Sequence, residues 1–173
     1  MFLSASVVRR GDFLFFLVSI ACWAMLSSVT HARLGETAQA CVDRYGQPVN
    51  VNRGDVCSMV FRIPGPQSGN KLVTCFFDAP EPTSVCQAVT YNNFGHDLEV
   101  MEQMLELNSQ GSKWLKPKIT PNASLGINNY DWDREDGATA QNHGGGMYIW
   151  GKEISQRNRD DKRQGFRDRV NGL

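Results

Sequence analysis

The sequence predicts an α+β fold in which helices pack on one face of an antiparallel sheet, with a loose helix–three-strand pattern occurring twice. Three observations carry this. Two stretches, 34–45 and 97–108, repeat apolar residues at three- and four-residue spacing, the period of an amphipathic helix. Each precedes short segments that alternate apolar with polar residues, or are rich in Val, Thr and aromatics, as half-buried strands are. The turns between those segments are too short for crossover connections, so neighbouring strands run antiparallel.

The first helix is the element on which the rest is organised. Thr37 can cap its first turn, its hydroxyl accepting from a free backbone N–H. Leu34, Ala38, Cys41, Val42 and Tyr45 then form one apolar stripe. Gly46 suits the left-handed residue past the last turn, and Pro48 bars continuation. So short a helix is not stable alone in water and must dock on a sheet.

In 56–63, Cys57, Met59, Phe61 and Ile63 alternate with smaller or polar partners, and 64–70 is a Pro/Gly turn cluster. A second strand over 72–77 and a third over 85–91 flank a turn holding Pro80 and Pro82. If that turn is symmetric about the Pro80–Glu81 bond, Cys75 falls directly opposite Cys86. Directly opposed residues come close enough for a disulfide, so Cys75–Cys86 is the expected pair.

The second helix is the clearest. Asp97 can cap it, Leu98, Met101 and Leu105 form one row, Val100, Met104 and Leu107 a second, and 108–111 ends it. Residues 112–129 are low in pattern, with Pro117, Pro121 and an Asn122-Ala123-Ser124 glycosylation sequon. A second strand region begins at Trp132 and continues through 138–141 and 147–150. From Lys152 onward seven basic and four acidic residues are interspersed among few apolar ones, which reads as a solvated helix fraying into a disordered tail.

The chain has 173 residues, 41% of them hydrophobic, and a net charge of zero, which suits one domain and leaves no electrostatic footprint for nucleic acid. Arg9 and Arg10, the apolar run 13–29 and Thr30-His31-Ala32 have the anatomy of a cleaved secretory signal over 1–32. The α+β domain then spans 33–151 and the charged tail 152–173. This places the protein outside the cell or in the periplasm, where Cys41, Cys57, Cys75 and Cys86 could form disulfides in any of three pairings. Cys22 sits in the apolar run as a lipoprotein cysteine would, but Ser19 stands where a bulky aliphatic is usual. Membrane association is expected only if the signal is retained or lipidated.

No catalytic constellation is visible, and no cofactor or metal is expected. His143-Gly144-Gly145-Gly146 matches the oxyanion loop of some esterases, but the Gly-x-Ser-x-Gly elbow such an enzyme needs is missing, so a glycine-rich turn is the better reading. The stretch 131–137 is dense in carboxylates like a calcium loop. Its glycine, however, stands seventh rather than sixth, and Asn142 occupies the twelfth place. A charged turn is expected instead. A cysteine nucleophile could use His96 or His143, but no spacing selects one. The expected function is a secreted or periplasmic, non-enzymatic module that binds another envelope or secreted protein. The alternative is an extracytoplasmic enzyme inhibitor or hydrolase. The candidate contact residues are Trp114, Trp132, Tyr148 and Trp150, because aromatics dominate binding hot spots; the competing role for them is core filling.

The motif Gly35-x-Thr37, with Val42 and then Tyr45-Gly46-Gln47-Pro48, resembles the first helix of the small outer-membrane-assembly lipoproteins and the β-lactamase inhibitor protein. That resemblance implies a helix-on-antiparallel-sheet unit, with Gly-x-Thr opening the helix and Gly-x-Pro closing it. The segments 34–49, 108–114 and 132–137 are also similar to a group of small secreted bacterial proteins of unknown function, which implies no activity.

Overall fold

The computed structural model describes residues 33–54, 56–63, 71–95 and 97–171, with the backbone alone for 165–171. The expected signal segment 1–32, the 64–70 turn and His96 lie outside the described residues.

The chain folds in the order α1 (Ala38–Tyr45), β1 (Asn50–Arg53), β2 (Cys57–Ile63), β3 (Lys71–Phe77), β4 (Cys86–Asn92), α2 (Leu98–Leu107), β5 (Lys118–Asn122), β6 (Ile127–Asp133), β7 (Thr139–His143), β8 (Gly146–Trp150) and α3 (Lys152–Asn171). Among the described residues all eight strands join one antiparallel sheet in the order β1-β2-β3-β4-β8-β7-β6-β5. The α+β class with an antiparallel sheet is therefore as expected.

Both early helices start and stop where capping chemistry requires. The Thr37 hydroxyl accepts from the Ala40 N–H at 3.2 Å, and Gly46, at φ 80°, donates its N–H to the Val42 carbonyl at 2.8 Å. Asp97 accepts from the Glu99 N–H at 2.9 Å. The residues leading into α1 are also knitted to the start of β4. Gly35 donates to the Cys86 carbonyl at 2.9 Å, Cys86 donates to the Glu36 carbonyl at 2.8 Å, and Ala38 donates to the Ser84 carbonyl at 2.9 Å.

Strand alternation sorts the side chains into two sets. One set runs Phe61, Val73, Tyr91, Met147, Asn142 and Tyr130 straight across β2-β3-β4-β8-β7-β6. Its neighbouring row runs Met59, Cys75, Val89, Ile149, Ala140 and Trp132. Nearly all of these belong to the same apolar core as Leu34, Ala38 and Cys41 around α1 and Met101, Met104 and Leu105 of α2.

Three sequence expectations are corrected. First, β1 and β5 were not foreseen, and β6 begins at Ile127 rather than Trp132. β1 and β5 are the two edge strands; β1 is wholly exposed, and β5 nearly so with Pro121 inside it, so neither has a buried face to create periodicity. Second, Leu98, expected on an apolar row, stands 37% exposed on the first turn of α2.

Third, Cys75 does not face Cys86. Cys75 pairs with Val89 and Phe77 with Cys86, with a register shift at Phe76/Phe77. The turn cannot be symmetric because residues 84–86 are bound to the approach to α1, and the Gln87 carbonyl accepts from the Gly151 N–H at 2.7 Å instead of from β3. No Cys75–Cys86 bond is present: Cys41, Cys57, Cys75 and Cys86 are buried free thiols.

Gly151 makes this bulge possible. A Cβ there would lie 2.9 Å from the Gln87 carbonyl oxygen, a backbone atom held by Gly151 itself. Gly151→Ala is expected to cost about 1–3 kcal/mol through this overpacking, read as a lower urea midpoint at unchanged slope.

Candidate functional site

The residues that alternate with the core set form a different surface. Across β2-β3-β4-β8-β7-β6-β5 they read Val60, Thr74, Thr90, Tyr148, Gln141, Asp131 and Lys118 in one row. Beside it run Ser58, Phe76, Ala88, Trp150, Thr139 and Asp133. β8 is central in the sheet, and its two aromatics stand at i and i+2 on one side of it. Their rings stack with centroids 5.9 Å apart and an interplanar angle of 11°. Tyr148 is 36% exposed and Trp150 is half-buried.

The neighbours explain the stack. Tyr148 is flanked by Thr90 and Gln141, and Trp150 by Ala88 and Thr139, none of which is bulky enough to cover an aromatic face. The Tyr148 ring leans over Gly146, where a Cβ would meet the phenol oxygen at 3.2 Å. Half-buried Phe76 extends the apolar ground toward β3. On β6 and β7, Asp131 and His143 lie 3.2 Å apart and are both accessible to solvent.

Helix α3 forms one wall of a groove beside this aromatic pair. Trp150, Gln141, Asp131 and Lys118 line the sheet side, and Asn158, Arg159 and Lys162 the helix side. The start of α3 is held in place by Ser155, whose hydroxyl bonds the Thr139 hydroxyl at 2.9 Å and donates to the Trp150 carbonyl at 3.2 Å. One turn on, Arg159 donates to the Gly137 carbonyl at 3.2 Å.

Of the four candidate contact residues, the structure brings Tyr148 and Trp150 together and places the other two elsewhere. Trp132 is 3% exposed and stacks on Tyr130 in the core, centroids 5.6 Å apart. Trp114 packs against the same core, donates its indole N–H to the Leu105 carbonyl at 2.7 Å, and lies 5.3 Å from the Arg134 guanidinium carbon.

Arg134 and Asn108 were not singled out from the sequence, yet they organise this end of the molecule. The Arg134 side chain is 1% exposed. Its Nε and one terminal nitrogen each donate to Asp136 at 2.8 Å, its other terminal nitrogen donates to the Asn108 carbonyl, and it reaches Gln110 at 3.0 Å. The Asn108 side chain accepts from the Leu34 N–H at 2.9 Å and donates to the Tyr91 hydroxyl at 3.0 Å and the Met104 carbonyl at 2.8 Å. A legible signal existed: Arg134 is two residues beyond a core tryptophan, the spacing that keeps both on one side of an extended chain.

This network also engages the 131–137 stretch. Asp136 spends its carboxylate on Arg134 and on the Ala138 N–H, at 3.1 Å, while Asp131 faces His143. Among the described residues no group of three or more His, Cys, Asp or Glu could hold a metal. The buried thiols belong to the core set and His143 to the opposite side of β7, so these are not brought together. Comparison with protein-family models, with curated proteins and with solved structures gives no significant match.

The hydrogen bond from Arg134 holds the Asp136 carboxyl below its ordinary value of 3.8. A carboxylate with a depressed native pKa adds stability that is complete above its unfolded value and fades as pH falls toward the native one. Asp136→Asn should therefore lower the thermal midpoint at neutral pH and flatten its decline below about pH 4, as measured by calorimetry across pH 2–7. Arg134→Met, which keeps the packing but leaves the buried Asn108 carbonyl without its donor, is expected to cost about 1–3 kcal/mol in chemical denaturation.

Proposed function

We propose that this chain is an exported, non-enzymatic module that binds another envelope or secreted protein through the sheet face centred on Tyr148 and Trp150. The observation that carries this reading is the aromatic stack itself. It lies at the middle of a broad sheet, is accessible, and is fixed by its strand rather than by a loop. Aromatic side chains on a rigid support lose little conformational freedom on binding, and such groups near the centre of a contact surface supply most of the affinity.

The arrangement of the helices fits this role. In our reading α1 and α2 cover the opposite face, which leaves the part of the Tyr148 face beside α3 open for a partner. Support comes from Ala38, Cys41, Met101, Met104 and Leu105, which share a core with the alternate set of strand residues. We also read the fold as a helix followed by four strands, occurring twice and meeting at β4 and β8; the strand order β1-β2-β3-β4-β8-β7-β6-β5 supports it. This is the kind of unit that the resemblance of 34–49 to the outer-membrane-assembly lipoproteins and the β-lactamase inhibitor protein implies. Export rests on the signal-like anatomy of 1–32 and places the partner outside the cytoplasm.

The test uses a photo-crosslinking residue at Gln141, beside the stack, in the full chain exposed to an envelope extract. One protein should be captured, and Tyr148→Ala combined with Trp150→Ala should reduce its capture about tenfold or more. Val51→Ala, on the edge strand β1, should leave capture unchanged. Undiminished capture by a double variant whose circular dichroism matches the parent would refute the proposed surface.

A further inference from the structure

Three of the buried thiols are neighbours. Phe77 pairs with Cys86, and Cys75 stands two residues along β3 from Phe77, so Cys75 and Cys86 reach the same side of the sheet. Cys41 comes down on them from α1, whose approach is hydrogen-bonded to Ser84 and Cys86. All three are at most 1% exposed and belong to one core cluster. Cys57 pairs with Phe77 on the other flank of β3, away from Cys86, and its thiol is 3.6 Å from the Gly54 carbonyl.

We infer that Cys41 and Cys75 form an oxidisable pair that staples α1 to the sheet, made by exchange with a low-molecular-weight disulfide. Cys86 is the weaker partner for Cys75. Its backbone is held on both sides by Gly35 and Glu36, its thiol donates to the Ala88 carbonyl at 3.2 Å, and the register shift beside it offsets it from Cys75. Cys41 lies beyond Ala38 and Gln39, the two α1 residues bonded to Ser84 and Pro82, so its part of the helix can settle by the fraction of an ångström that bond formation needs.

The chemistry balances in two exchange steps. When α1 opens, the Cys41 thiolate attacks the small disulfide, forming a mixed disulfide and expelling one small thiolate. The Cys75 thiolate then attacks the Cys41 sulfur and expels the second. Two protons pass from the cysteines to the two released thiols, and two electrons reduce the oxidant. The neighbouring Cys41 and Cys86 thiols and burial hold the Cys75 thiol well above its ordinary value, so little reactive thiolate forms there while α1 is closed.

The experiment incubates the full chain with oxidised glutathione, alkylates the remaining thiols and maps peptides without reduction. A Cys41–Cys75 linked peptide is expected, with Cys57 and Cys86 alkylated, together with slower amide exchange in 38–45 and a higher thermal midpoint. Cys86→Ala should keep the link, and Cys41→Ala should abolish it. A Cys75–Cys86 link, glutathione adducts without any link, or pairing with Cys57 or Cys22 would overturn the inference. The Cys86→Ala result stands even if Cys41→Ala does not fold. The readout is independent of partner binding, so it can fail without the binding face failing.

Discussion

A guanidinium taken out of water must be neutralised and hydrogen-bonded where it stands, and the placement of Arg134 imposes that constraint on much of this molecule. Its partners come from the end of α2, from Gln110 just after it and from the turn between β6 and β7. Asn108 carries the constraint further, to Leu34 ahead of α1 and to Tyr91 on β4. Burial pushes the Tyr91 hydroxyl above its ordinary value, and the Asn108 amide that donates to it pulls the other way. Segments far apart in the chain are thus joined by a polar hub in which each bond supports the next. Apolar burial alone would tolerate some sliding of α2 over the sheet; directional bonds to a fixed charge allow very little.

The two early helices were legible because their caps and apolar rows are local properties of a dozen residues each. The inner strands β2, β3 and β4 were legible for the same reason. The edge strands were not, since Asn50–Arg53 and Lys118–Asn122 present almost no buried side and so carry no alternation. The register at Cys75 was lost to a tertiary effect. Residues 84–86 satisfy their backbone groups on the approach to α1, and no property of the turn sequence alone announces that. The motif segments 108–114 and 132–137 stood out as shared patterns, and their residues turn out to supply Asn108, Gln110, Trp114, Arg134 and Asp136 to the hub.

The aromatic candidates divide along the same line between local and non-local information. The run Met147-Tyr148-Ile149-Trp150 is apolar at every position, so alternation cannot say which pair faces the core. The pairing decides it: Met147 meets Tyr91 and Asn142, Ile149 meets Val89 and Ala140, and all four neighbours are buried. Tyr148 and Trp150 are left on the other side by exclusion. Trp132 has the opposite fate because its own alternate neighbours are Asp131 and Asp133, which belong in water.

An accessible aromatic pair at the centre of a sheet differs physically from one on an edge or a loop. The β8 backbone is bonded on both sides, to β4 and to β7, so the rings cannot turn inward without breaking ladders on both flanks. Their exposure is enforced rather than transient, and the apolar area they leave in water is a standing cost to the folded chain. The core beneath them is filled by Met147 and Ile149, each at most 1% exposed, so there is no space in which that cost could be relieved internally. On the proposed function, a second protein surface laid over Tyr148 and Trp150 would bury that area while leaving the sheet unchanged.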